Sequence, residues 1–437
     1  MKCLGVLFLL VAVAPQAQSA DWPHWRGPNF NGSTDEKNLP SLWSTSEKVV
    51  WSAPLPGPSA STPVVSGNYV YVSSTDSSAG SVNALCFDRR AGKQLWERKV
   101  DAQVRRDVRS TYAAPSPVTD GKIVVFFYGT GETRAFDPSG DQLWTRNVQK
   151  EYGEFAFGWT FASSPLLFDG KLFLQVLQRD VPVEGRGLKD RKNKSYILAL
   201  NPSTGETLWR HIRPSQAVAE SREAFTSPVP FEYGGVKQLL VIGGDDLTGH
   251  DPADGKEVWR WGTWNPTRKV HWRHVPSPVA NAGVILVCAP KTDPIYAIKT
   301  GGSGQLDETA VAWSSKDARE ITSDVPTPAY YDGDFFVLSD LKKALSRVVP
   351  STGKVQWSVR TPGNKKYEAS PLAADGKIYI VNFLGEVAVL NASDGKLVNV
   401  IPMAADESRE SPIRSSIIAA HGQLFIRTNE KLFCVAN

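Results

Sequence analysis

The stretch from Thr327 to Trp357 reads TPAYYDGDFFVLSDLKKALSRVVPSTGKVQW and parses into four short strands. A Thr-Pro pair leads into Ala329 to Tyr331, Asp332-Gly333 makes a two-residue turn, and Phe335 to Leu338 runs back as an apolar strand. Ser339 to Lys343 turns, Ala344 to Val349 runs out, Pro350 to Gly353 turns again, and Lys354 to Trp357 closes the unit. Asp-Gly is a strong hairpin signal because a type I′ turn needs positive φ, which glycine adopts without steric cost. One such sheet leaves an apolar face uncovered, so the unit needs neighbours of its own kind.

The unit recurs along the chain. Its opening proline stands at Pro63, Pro117, Pro165, Pro228, Pro278, Pro328 and Pro371, and Ser416-Ile417 takes the same place in a last copy. Successive steps are 54, 48, 63, 50, 50, 43 and 46 residues. A period near fifty with four strands per unit marks a β-propeller. Trp96, Trp144, Trp209, Trp259 and Trp357 each follow the glycine of the third turn by four residues, and Trp51 ends an isolated strand of the same type. An indole at such a place can bury roughly 200 Å² against the next blade. The last copy stops before its fourth strand, whereas Lys48 to Trp51 is a fourth strand without a first three. The expected fold is therefore all-β, an eight-bladed propeller of four-stranded antiparallel blades, the last completed by the N-terminal strand.

Residues 1–20 carry Lys2, an apolar run from Leu4 to Ala14 and small residues at Ala17, Ser19 and Ala20, the pattern of a secretory signal. Cys3 precedes the apolar run, so it is not placed for lipid attachment. No other stretch approaches the roughly twenty apolar residues of a membrane helix. The expectation is an exported chain, periplasmic or extracellular, neither lipoprotein nor membrane-anchored, and monomeric. Residues 21–47 lack strand alternation but hold Trp22, Trp25 and Trp43, which suggests a strap over the propeller formed by residues 48–437. Trp22, His24, Trp25 and Arg26 either plug a pocket or simply anchor that strap. A formal charge of +4 over 437 residues gives no electrostatic footprint for nucleic acid. Cys86 and Cys434 fall at equivalent strand positions of the first and last blades and read as small buried hydrophobes rather than a bridge.

Within each unit the first and third turns are nearly constant: Asp120-Gly121, Asp169-Gly170, Asp332-Gly333 and Asp375-Gly376 against Ser203 to Gly205 and Ser351 to Gly353. The second turns and the links between units vary in length and chemistry, so binding is expected on the irregular face. The links supply Arg109 with Tyr112, Trp159 with Phe161, and Arg222 with Glu223. Further along come His271, Trp272, Arg273 and His274, then Asp324, Tyr367 with Glu368, and Arg409, Glu410 and Arg414. Converging near the axis, they would form a funnel of guanidinium, carboxylate and ring faces suited to a planar or anionic ligand. His271-x-x-His274 lacks the third ligand that zinc requires, and no metal site is expected. The insertion Gln178 to Lys194 is basic and would overhang the same face.

The run Ala199 to Trp209, ALNPSTGETLW, following Ser-Pro and Asp-Gly-Lys signals, resembles the repeat of the pyrroloquinoline quinone (PQQ) propeller superfamily over about residues 48–436. The superfamily includes quinoprotein alcohol dehydrogenases and the propeller lipoprotein of the outer-membrane β-barrel assembly machinery. The opening Asp21 to Pro28, DWPHWRGP, is similar to exported bacterial PQQ-like propellers. Dehydrogenases of the family hold their quinone with an adjacent cysteine pair in many members, a stacking tryptophan and a calcium shell of Glu and Asn beside a catalytic Asp, and this chain has no adjacent cysteines. That departure favours the expectation of a non-catalytic scaffold that binds a protein segment or small ligand on its irregular face without a cofactor. Its alternative is a PQQ-dependent oxidoreductase with calcium, in which Asp324 or Glu368 would act as base and Trp159 or Trp272 would stack on the quinone.

Overall fold

A computed structural model describes residues 20–190, 192–404 and 412–437; the expected signal, apart from its last residue, and the link residues Arg409 and Glu410 lie outside them. The repeat unit folds as read, with strands Ala329–Tyr331, Asp334–Ser339, Ala344–Val348 and Val355–Arg360 in a single antiparallel meander. Asp332 and Gly333 have φ of 49° and 82°, the positive pair that a tight I′ hairpin requires. Eight sheets of this kind follow one another, spanning residues 64–101, 118–147, 166–212, 229–261, 279–314, 329–360, 372–402 and 418–435. The eighth is completed by Val49–Pro54, which pairs antiparallel with Lys431–Val435 and sets Trp51 opposite Cys434. The protein is an eight-bladed β-propeller whose ends close the ring.

The ring is also closed at its axis by a hydrogen-bonded belt. The opening strand of each blade faces the channel and has an unpaired edge, which leaves buried N–H groups in need of partners. A serine or threonine before each opening proline, and Ser416 before Ile417, meets that need. The N–H of Thr62 donates to Ser116 Oγ at 2.9 Å, Ser116 to Ser164 at 3.0 Å, Ser164 to Ser227 at 2.9 Å, and Ser227 to Ser277 at 2.9 Å. Ser277 donates to Thr327 at 2.9 Å, Thr327 to Ser370 at 3.0 Å, Ser370 to Ser416 at 3.1 Å, and Ser416 back to Thr62 at 3.2 Å. The following prolines have no N–H to leave unsatisfied and cannot extend the sheet inward.

At the outer edge, tryptophans join neighbouring blades. Trp51, Trp96, Trp144, Trp209, Trp313 and Trp357 each donate their indole N–H to a carbonyl in the third turn of the next blade: those of Arg89, Pro138, Pro202, Pro252, Pro350 and Ala392. The ring faces lie against the turn glycine, so that a Cβ on Gly205 would stand 2.7 Å from the Trp144 ring. Trp259 is likewise buried, in one cluster with residues of blade five, but its hydrogen bond differs. Its indole donates within its own blade, to Gln238 at 2.8 Å. The third turn of blade five is enlarged and offers no tight glycine to receive it; instead Gly304–Gln305 pairs in parallel with Trp259 and Arg260, giving blade four a fifth strand.

The N-terminal strap crosses the rim of constant turns. Asp21 accepts from Ser66 Oγ and the Gly67 N–H in the first turn of blade one, and contacts His421 Nε2 in that of blade eight at 2.7 Å. Trp22 pairs with Val65, Asn31 accepts from the Tyr330 N–H, and Ser33 pairs with Ala373, so the strap passes over the axis. There Arg26 is buried and donates to the carbonyls of Pro328, Pro371 and Asn31, while burial alone lowers its pKa to about 9. Trp43 and Tyr379 fasten the far end beside blade seven, through Met403 Sδ and the Pro40 carbonyl. Cys86, Cys288 and Cys434 are buried and unbridged. Among the described residues no helix is long and apolar enough to cross a membrane.

Candidate binding funnel

The links between blades meet around a cavity of about 170 Å³ on the axis. The belt hydroxyls of Thr62, Ser116, Ser164, Ser227, Thr327, Ser370 and Ser416 form a collar in it, and Trp25 of the strap lines it from the opposite rim. Of the strap's four candidate residues, Trp25 therefore belongs to the cavity. Arg26 and His24 are buried in the plug behind it, His24 stacked on Phe30 with its pKa lowered to about 3 by burial and by the Arg26 charge.

Arg109, Trp159, Glu368 and Arg414 from the sequence reading come together on the cavity wall, joined by Arg273 and Phe225. Arg414 Nε donates to Glu368 Oε2 at 2.7 Å, and Arg109 Nη1 stands 4.0 Å from Glu368 Oε1. The Arg109 guanidinium also lies 5.6 Å over the Trp159 ring, and that of Arg414 4.8 Å over Phe383. Such stacking fixes the flat cation while its edge stays available for a planar acceptor. Arg273 is 7 % exposed and stands 3.7 Å from Glu220 and 3.6 Å from Asp324, with no hydrogen-bond partner for its Nη1.

Other groups brace this wall. Asp107 accepts from Thr160 Oγ1 and from the N–H groups of Arg109, Ser110 and Thr160, tying two successive links together. Burial opposes its charge, yet those hydrogen bonds hold its carboxyl below the ordinary range. Asp324 is buried, accepts from the Lys291 N–H at 2.7 Å, and donates its own N–H to Asp340. Burial pushes Asp340 up to about 6, with the negative charges of Asp324 and Glu368 acting in the same direction.

The remaining candidates lie off the cavity lining. Tyr112 packs on Gly129, and Tyr367 is buried with its hydroxyl donating to the Pro362 carbonyl. Glu223 is fully buried against Arg179 and the Gly158 N–H, its pKa raised by burial, and Arg222 faces Asp180 at 3.4 Å. His271 is exposed, whereas His274 is buried beside the Cys288 carbonyl with its pKa lowered to about 4 by burial. The two rings thus serve different environments, and among the described residues no group of three His, Cys, Asp or Glu could hold a metal ion. Arg409 lies outside the described residues. Arg273 and Trp25 matter more than the sequence suggested; the one signal for Arg273 was its position in a link.

These residues do not fit a quinone held through calcium. Among the described residues the cavity lining offers a single carboxylate, Glu368, already paired with arginine, and no asparagine or aspartate. Trp272 is buried in the core between blades four and five, with Lys269 Nζ 3.8 Å over its ring, so it cannot stack on a ligand in the funnel.

The sequence family described as outer membrane protein assembly factor BamB matches residues 32–176 and 193–437. No curated protein matches the chain. Among solved structures, europium-containing methanol dehydrogenase superimposes with a TM-score of 0.70 at 10% identity, covering 96% of this chain and 98% of that one. The quinohemoprotein alcohol dehydrogenase from Comamonas testosteroni gives a TM-score of 0.65 at 14% identity over 95% and 80% of the two chains. BamB from Moraxella catarrhalis gives 0.60 at 11% identity over 89% and 99%. At such identities the likeness concerns the fold, which both enzymes and an assembly factor share.

Proposed function

Because this chain belongs to the outer membrane protein assembly factor BamB family, we propose that it is an exported, non-catalytic scaffold that binds a protein segment or small ligand in its axial funnel. The observation that carries the reading is the convergence of Arg109, Arg273 and Arg414 with Trp159 on one cavity at the irregular rim. Stacked guanidiniums on loops held by a rigid ring are recognition chemistry. The carboxylates that an oxidoreductase would use as a base are tied up: Glu368 by Arg414, and Asp324 behind the wall by Arg273 and Lys291. The signal-like residues 1–20 support export.

The test places a photo-crosslinking side chain at Trp159 or at Asp332, on the opposite rim, in cells exporting the protein. Adducts are expected at position 159 and not at 332, and Ala162→Trp, which fills the cavity, should abolish them. Equal adducts at both rims would refute the binding face. Saturable quinone absorbance with alcohol-dependent dye reduction, on adding PQQ and calcium to purified protein, would refute the non-catalytic reading.

A further inference from the structure

The chemistry of what enters the funnel is narrowed by one side chain. Arg273 is nine-tenths buried and lines the cavity, yet Nη1 has no hydrogen-bond partner. Its Nε and Nη2 face Glu220 and Asp324 at 3.7 and 3.6 Å, within ion-pair range but beyond a hydrogen bond. The charge is thus met by two carboxylates, but the Nη1 donor is not satisfied; a buried donor without an acceptor is unfavourable, so a ligand that supplies one there gains more than it would from an exposed arginine. Elsewhere on the lining, Glu368 already shows what the arginines donate to, since its carboxylate accepts from Arg414 on one oxygen and faces Arg109 on the other.

We infer that the funnel receives a carboxylate carried on an acidic segment of another polypeptide, with Arg273 as its anchor and Arg109 at the mouth. This rests on the binding reading above and adds the class of ligand. A polypeptide fits better than a free small anion because the insertion in blade three, beside the cavity, is basic as well. The insertion is pinned next to Trp159 by Arg186, which donates to the carbonyls of Phe157 and Gly158. It exposes Lys189, Lys194 and Lys192, the last 3.9 Å from Asp190. A single carboxylate reaches only the cavity, whereas a chain bearing several also meets these lysines, as clustered basic side chains favour for an extended anionic partner.

The experiment measures fluorescence anisotropy of a labelled octapeptide of alternating glycine and glutamate with the purified full chain, beside peptides with glutamine or lysine in place of glutamate. The glutamate peptide should bind, the glutamine peptide about tenfold more weakly or worse, and the lysine peptide not at all. Arg273→Gln should weaken the glutamate peptide by about tenfold, and Arg273→Lys, which keeps the charge, by less. Arg109→Gln, at a half-exposed position, provides a variant whose folding is not at issue and should also weaken binding. Equal binding of the glutamate and glutamine peptides would overturn the carboxylate. Competition by glutarate at the same concentration as the peptide would overturn the polypeptide. Failure of every peptide while position 159 still yields adducts would sink this inference and leave the binding scaffold standing.

Discussion

Gly170→Ala and Gly205→Ala form a matched pair in blade three. The two glycines have nearly the same backbone, φ of 71° and 75°. A Cβ at Gly170 meets nothing within 4 Å, whereas one at Gly205 falls 2.7 Å from Trp144 Cδ2. Both substitutions incur the left-handed penalty of an L residue, roughly 1–2 kcal/mol. Only Gly205→Ala adds overpacking, because carbon atoms settle at about 3.5–4.0 Å. The indole must retreat by about 1 Å, and its N–H bond to the Pro202 carbonyl at 2.8 Å resists that movement. Overpacking of this kind costs about 1–3 kcal/mol, so Gly205→Ala should be less stable than Gly170→Ala by about 2 kcal/mol. Chemical denaturation followed by circular dichroism measures each variant. In a Trp144→Leu background the wall that the Cβ meets is gone, and the excess should shrink to a few tenths of a kcal/mol. Equal losses for the two alanines, or an excess that survives in the leucine background, would refute the idea that the indole against the glycine joins these blades.

Ser227→Ala removes the acceptor of the buried Ser164 N–H in the axial belt and should cost about 1–3 kcal/mol. Ser227→Thr, which keeps the oxygen, should cost clearly less; identical denaturation midpoints for the two would dismiss the belt as a source of stability. Asp340 binds its proton more tightly in the folded chain, at about 6, than at its ordinary 3.8. Its contribution to stability is therefore complete at low pH and falls as pH rises from about 4 to 6, by about 3 kcal/mol at most. Asp340→Asn should flatten that part of the stability profile and exceed the parent above pH 6. A parent and variant with parallel profiles would show that the group does not titrate there.

Some of this was legible before any coordinates. The opening prolines, the Asp-Gly turns and the glycine-to-tryptophan spacing are local patterns, and they located every blade. Trp313 is hidden in the sequence because the insertion in blade five breaks the spacing from turn glycine to indole, and the Trp259 indole, buried in one cluster with blade-five residues, donates within its own blade because that altered turn lies where a receiver would stand. The serine or threonine before each opening proline was visible as a repeat. That its hydroxyl accepts from the previous blade was not, because those partners lie about fifty residues apart or, at the closure, 354.

The site shows the same division. Its source in the links could be read from their mixture of arginine, carboxylate and aromatic residues, but a link has several side chains and only some face the axis. Glu368 and Arg109 turn inward to the cavity, while their sequence neighbours Tyr367 and Tyr112 turn into the blades. The strap's Trp25 enters from the other rim, beside an Arg26 whose carbonyl partners come from blades six and seven, more than three hundred residues away. Sequence alone determined the repeat, its number and the face that varies, because turn chemistry and strand periodicity act over a few residues. Tertiary structure decided which charges meet and which buried donor is left without an acceptor, because that depends on the twist of each strand and on the closing of the ring.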